Sequence, residues 1–228
     1  MKFLYLLILI PFTIFSAQTY KYKNYKTIYL PSIIPQNMSS KVKKDRFFYL
    51  IVKPVQKVHS ELLEQYYKID RDIQQFRNHK EIKRLKKEYR ASTDLELLQA
   101  LKPHPKSIVI AQAAMESAWA TSRFFIEANN VFGMWSADSD EPRVAASQKR
   151  NGTKTIWLRK FFSIEESIRE YYKLIGRGKS FKEFRELRYK TDNPFEIVTK
   201  LDKYSEIGDR YAFELMNIIE YNNLTKYD

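Results

Sequence analysis

The chain has 228 residues, 44% of them hydrophobic, and a formal net charge of +13. That is enough chain for one domain with an extension and enough apolar content for a globular core. There are no cysteines, which excludes disulfide scaffolds and thiolate metal sites. The three histidines, His59, His79 and His104, are far apart and form no H-E-x-x-H pair, so neither a metal centre nor a cofactor is expected. The positive charge favours acidic partners in general. Its carriers are scattered and accompany no zinc-finger, RRM or helix-turn-helix pattern, so nucleic acid is not an expected partner.

Residues 1–17 read as a secretory signal: Lys2, an apolar run from Phe3 to Ile10 that continues to Phe15, and a small-residue site at Ser16-Ala17. The run is short for a membrane span, so no stable span is expected once it is removed. Retention as an N-terminal anchor is the competing reading. Residues 18–40 read as extended, broken by Pro31 and Pro35. Helical patterning begins near Ser40, and Pro54 predicts a kink or a boundary in it. From Asp70 to Arg90 the thin stripe Ile73, Phe76, Ile82, Leu85 and Tyr89 predicts one long surface helix. Thr93 is the candidate N-cap of a short helix over Asp94–Leu101. Pro105 then suits the first turn of the next helix. This divides the chain into an extended-then-helical region, 18–92, and a main domain, 93–228.

The stretch Ser107–Trp135 is the centre of the sequence. Ile108, Ala111, Met115, Ala118 and Ser122 share one helical face, and five alanines between 111 and 120 keep the helix slim. Glu116 is the one carboxylate in its middle. Held against apolar groups, its carboxyl would titrate high, as a general acid needs. Facing solvent on the helix flank, it would have no such role. Asn129-Asn130 and Gly133 predict a sharp exit, followed by Trp135 as either a stacking platform or a core aromatic.

Beyond Ser136 the period changes. Asn151-Gly152 is a hairpin turn signal and residues 155–161 are strand-like, which predicts a small β lobe preceded by the loop acids Asp138, Asp140 and Glu141. Ser163 and Glu166 form a capping box, and Phe161, Ile164, Ile168, Tyr171 and Ile175 line one face of the helix that follows. Residues 180–220 read as two or three short helices.

The segments AAMESAWATSRF, 113–124, and EANNVFGMW, 127–135, resemble the signature of bacterial Bax-type proteins, which belong to the peptidoglycan N-acetylglucosaminidases of glycoside hydrolase family 73. LPSIIP at 30–35 and KKDRFF at 43–48 are also similar to that family's N-terminal region. The resemblance implies a mainly α (α+β) fold: a lysozyme-like helical domain with a β-hairpin lobe beside a cleft, preceded by a helical extension. It implies a hydrolase of β-1,4 bonds of N-acetylglucosamine, with peptidoglycan glycan strands as partner and a periplasmic or cell-surface location. Glu116 takes the place of the family's proton donor. Tyr171 falls in the segment, 161–171, that resembles the family's placing of a tyrosine in the cleft near the proton donor, so it is the second expected catalytic residue, and Ser117, Asn130, Trp135 and Tyr204 are expected to bind substrate. YSEIGDRYAFEL at 204–215 resembles the family's closing motif; Tyr211 in it is expected to pack. Ala118 and Ala120 stand where the family commonly has glycine. The second catalytic group is open: at the hairpin position where related proteins often carry an acid stands Ile156 or Trp157. Asp138, Asp140 and Glu141 are substitutes, and the substrate's own acetamido group is the other candidate. A wall-binding protein of the same fold with impaired catalysis is the alternative.

Overall fold

A computed structural model describes residues 27–150 and 154–228. The signal sequence expected at 1–17 and the turn at Asn151-Gly152 lie outside the described residues. The fold is mostly helical with a single two-stranded antiparallel sheet among the described residues.

Helix α1, Ser40–Gln74, is capped by the Ser39 hydroxyl, which accepts from the Val42 N–H at 3.3 Å. Pro54 neither ends nor divides it. The expected single helix over 70–90 is instead two: α1 stops at Gln74, and α2 runs over His79–Tyr89. Phe76 and Asn78 between them are left-handed, with φ of 53° and 50°. Phe76, counted above in the apolar stripe, is 81% exposed. Charge repetition on both sides masked the break, which a side chain from within α1 secures: Asp72 accepts from the Asn78 amide at 2.7 Å. Thr93 caps α3, Asp94–Leu101, as expected.

Helix α4, Lys106–Glu116, is the buried axis. Every residue from Ser107 to Ala114 is buried. Its alanines let α1 approach on one side and α9, Asp209–Tyr221, on another. Phe47, Ile51, Val55 and Val58 of α1 lie in the same core cluster as Ile108 and Ala111 of α4, Ile168 and Ile175 of α6, and Leu215 and Ile219 of α9. Helix α6 spans Ile164–Arg177 and carries the expected capping box: Ser163 accepts from the Glu166 N–H, and Glu166 from the Phe162 N–H. The N-terminal helix therefore completes the core of the main domain. Helices α7, Lys182–Lys190, and α8, Pro194–Ile197, lie between α6 and α9 in the chain.

The central helix is shorter than its apolar spacing predicts. It ends at Glu116; Ala118 is exposed, and Ser122 caps a separate α5, Arg123–Ala128. Ala118, Trp119 and Ala120 form a left-handed turn, with φ of 51°, 62° and 61°. The Trp119 N–H returns to the Ala114 carbonyl at 2.8 Å, a Schellman-type closure that normally takes glycine at the position Ala118 holds. Packing imposes this turn. Trp119 stands edge-on to Phe47 at 5.1 Å, and the fully buried Arg46 donates to the Ala120 carbonyl at 2.6 Å. The same guanidinium donates to the carbonyls of Leu30, Pro31 and Ile33, so it ties the N-terminal strap to the turn after Glu116.

Strands β1, Arg143–Arg150, and β2, Lys154–Arg159, pair with Val144 opposite Leu158 and a bulge between Ala145 and Lys149. A bridge between Trp135 and Leu158 joins the loop after α5 to this hairpin. Gly133, at φ 64°, makes the turn that allows it.

Candidate active site

Glu116 closes α4 and is half-buried. Burial raises its carboxyl pKa above the usual carboxylate value, and a hydrogen bond from the Tyr211 hydroxyl to Oε1, at 2.7 Å, opposes that rise. A desolvated carboxyl that keeps its proton at higher pH is what a general acid requires. Tyr211, expected above only to pack, is the side chain that orients it. Its ring lies against that of Tyr204, stacked at 5.3 Å. The Tyr204 hydroxyl titrates well above its ordinary value, through burial and the nearby Glu116 charge.

Behind Tyr211 stands Gln112, one helical turn before Glu116 and fully buried. Its amide N–H donates to the Tyr211 hydroxyl at 3.0 Å. Its Oε1 accepts from the Tyr171 hydroxyl. Tyr171, expected in the cleft, is fully buried and stacks on Phe132 at 4.1 Å. Its hydroxyl also meets His104 Nε2 at 2.9 Å. The inward stripe of α6 carries it into the core, so it reaches Glu116 only through Gln112 and Tyr211.

Two of the expected substrate contacts are likewise inside. Ser117 is fully buried; its hydroxyl donates to the Ala113 carbonyl at 2.5 Å and accepts from the Ala120 N–H at 2.8 Å. It shapes the turn beneath the acid. Asn130 is 1% exposed, donates to the carbonyls of Met134 and Arg159, and accepts from the Met134 N–H, each at 2.9 Å. It fastens the loop to the hairpin. Trp135, by contrast, is 59% exposed. It lines an open groove of about 410 Å³ with Arg143, Thr155, Ile156 and Trp157. The Arg143 guanidinium lies 4.4 Å from the Trp157 ring centre.

The loop acids differ among themselves. Glu141 is tied to Arg159 at 2.8 Å, and the same arginine holds Glu170 at 2.8 Å. Asp138 and Asp140 are exposed, with Asp138 accepting from the Asp140 N–H at 2.9 Å. Between Glu141 and Glu165 the sequence contains no carboxylate. Among the described residues no group of three or more His, Cys, Asp or Glu side chains is placed to hold a metal ion.

Gln112 and Arg46 carry no expectation from the sequence. The signal for Gln112 was its place four residues before Glu116, on the same helical face. Arg46 left no local signal, because its partners are backbone carbonyls from distant segments.

A helical domain with a two-stranded lobe is a lysozyme-like fold, and the family match places the chain among glycoside hydrolases. The family described as mannosyl-glycoprotein endo-β-N-acetylglucosaminidase matches residues 91–224, and the chain belongs to this glucosaminidase family, glycoside hydrolase family 73. Among solved structures, the catalytic domain of the autolysin Auto from Listeria monocytogenes is similar at a TM-score of 0.55 and 18% identity, over 84% of this chain and 90% of that one. An N-acetylmuramoyl-L-alanine amidase from Staphylococcus aureus is similar at a TM-score of 0.52 and 20% identity, over 87% of this chain and 48% of that one. These likenesses show the fold. No curated protein sequence matches the chain.

Proposed function

We propose that the protein cleaves β-1,4 glycosidic bonds of N-acetylglucosamine in peptidoglycan strands, with Glu116 as the proton donor. The observation that carries this is the Glu116 carboxyl: half-buried, raised in pKa by desolvation, and gripped at Oε1 by Tyr211. Membership of the glucosaminidase family supplies the bond type. The similar structures, by name an autolysin and an N-acetylmuramoyl-L-alanine amidase, support a wall substrate. Within the family, the resemblance of segments 30–35, 43–48, 113–124 and 127–135 supports a place among Bax-type proteins.

Trp135 and Trp157 give the glycan aromatic faces to lie against, and Tyr204 borders the acid. For the second catalytic role the hairpin supplies no carboxylate, and Glu141 is held by Arg159. Asp138 and Asp140 are exposed on the loop, so the substrate's acetamido group is the favoured internal nucleophile over them, a recognised departure from the two-carboxylate scheme that retains the β configuration. Export fits such a substrate: residues 1–17 act as the signal, residues 18–92 form the extension and 93–228 the catalytic domain. No helix among the described residues is long and apolar enough to cross a membrane.

The test is the mature chain and its Glu116→Gln variant on purified peptidoglycan. New N-acetylglucosamine reducing ends, of β configuration when first released, are expected from the first and not the second. Equal release by both would refute the role of Glu116. Binding without release by the wild type would leave the wall-binding reading in its place.

A further inference from the structure

A line of buried side chains runs from Arg188, on α7, to the acid. Arg188 is 1% exposed, with its guanidinium over the Phe184 ring. Its Nη1 lies 3.3 Å from His104 Nδ1, and its Nη2 donates to the Gln99 carbonyl at 2.7 Å. His104 Nε2 meets the Tyr171 hydroxyl, Tyr171 meets Gln112 Oε1, Gln112 Nε2 meets the Tyr211 hydroxyl, and Tyr211 meets Glu116 Oε1. Each of the four intermediate side chains is at most 1% exposed.

The chemistry of these groups gives the line one direction. A guanidinium has donors only. Arg188 remains a cation at neutral pH, even though burial lowers its pKa to about 9. Burial and the Arg188 charge hold His104 well below its ordinary pKa, so its imidazole is neutral, with one donor and one acceptor nitrogen. Facing Arg188, Nδ1 must be the acceptor, and the proton sits on Nε2. Nε2–H then donates to Tyr171, whose own proton is released to Gln112 Oε1. The Gln112 amide donates to the Tyr211 oxygen, and the Tyr211 proton is left to point at Glu116 Oε1.

We propose that Arg188, His104, Tyr171, Gln112 and Tyr211 form a one-way hydrogen-bond chain that makes Oε1 of Glu116 an obligate acceptor and so assigns the catalytic proton to Oε2. These are positioning residues; none but Tyr211 touches the acid. The inference rests on the reading of Glu116 as proton donor. It also accounts for Tyr171, which α6 places in the core rather than in the cleft, and for a buried arginine with no carboxylate partner among the described residues. Reversing the first bond would require Arg188 to accept, which it cannot do, and reversing the last would leave the buried Tyr211 proton without the acceptor it has in Glu116 Oε1.

Two measurements test the chain. The first uses the folded wild-type protein labelled with 15N in its histidines, with His104 assigned from His59→Gln and His79→Gln proteins. His104 is expected as the neutral Nε2–H tautomer from about pH 5 to about pH 8. The Nδ1–H tautomer, or protonation within that range, would overturn the proposal, and neither outcome depends on activity. The second follows kcat against pH on solubilised glycan strands for Tyr211→Phe and Gln112→Met. An acid works while protonated, so activity falls as pH rises through its pKa. Losing the Tyr211 donor removes stabilisation of the carboxylate, so this alkaline limb should move up by about one pH unit in Tyr211→Phe. In Gln112→Met it should move the same way by less, with kcat about tenfold lower and KM unchanged. Folded variants with the wild-type limb and kcat would overturn the chain while leaving Glu116 in its role. Undiminished activity of Glu116→Gln would instead remove the reading beneath it.

Discussion

Replacing Ala118 by glycine should stabilise the protein. Ala118 is left-handed at φ 51°, and its side chain faces solvent. An L-residue with a Cβ costs ~1–2 kcal/mol in that conformation. Glycine removes that cost, and adds ~0.4–1 kcal/mol of backbone entropy to the unfolded chain. The exposed methyl makes no buried contact to lose, so the balance is a gain of roughly 0.5–1 kcal/mol. For a chain of this size that is a rise in Tm of about 1–4 °C. Ala120 is the internal control. It is equally left-handed, at φ 61°, but fully buried. Its methyl is worth ~0.8 kcal/mol of burial, so Ala120→Gly should come out near zero. Thermal unfolding followed by circular dichroism, with all three proteins at one pH, decides it. A lower Tm for Ala118→Gly would show that the turn is not strained and that the argument is wrong.

Glu116→Gln should reduce peptidoglycan hydrolysis by ~10²–10⁴-fold, read as reducing ends per unit time. The same variant should gain stability in a pH-dependent way. The folded pKa of Glu116 lies above its unfolded value. The folded state therefore binds more protons between the two values, and Glu116 lowers stability as pH rises through that window. Glu116→Gln should melt higher than wild type at pH above the folded pKa, with the difference shrinking in acid; a constant difference would contradict the desolvation argument. Arg46→Met leaves four backbone carbonyls without their shared donor, two of them at 2.6 and 2.8 Å, and should cost about 3 kcal/mol or more in urea unfolding. A loss under about 1 kcal/mol would mean the strap contributes little. Trp135→Ala should weaken binding to inactive Glu116→Gln protein by about tenfold if a sugar ring lies on the indole, measured by co-sedimentation with peptidoglycan.

The sequence alone determined the helices whose caps are local. Thr93, Ser163 and Glu166 bond to backbone within four residues, so their spacing is sufficient information. It determined the slim central helix, since alanine content and apolar period are properties of the segment itself. It also marked Glu116 and Trp135 as candidates, through the resemblance of segments 113–124 and 127–135 more than through their spacing. Only the tertiary structure decided where that helix stops. Spacing carries the apolar face on to Ser122, whereas Trp119 packing on Phe47 and Arg46 reaching Ala120 bend the chain left-handed directly after Glu116. Only the tertiary structure separated Tyr171 from Tyr211. Both are tyrosines at intervals that fit a buried stripe, and which of them reaches Glu116 depends on how α6 and α9 pack around α4. The same holds for Ser117 and Asn130, whose polar atoms are consumed by carbonyls and amides of neighbouring turns. A side chain's local pattern records which face it occupies; the partner on that face comes from another part of the chain, and no spacing within one segment encodes it.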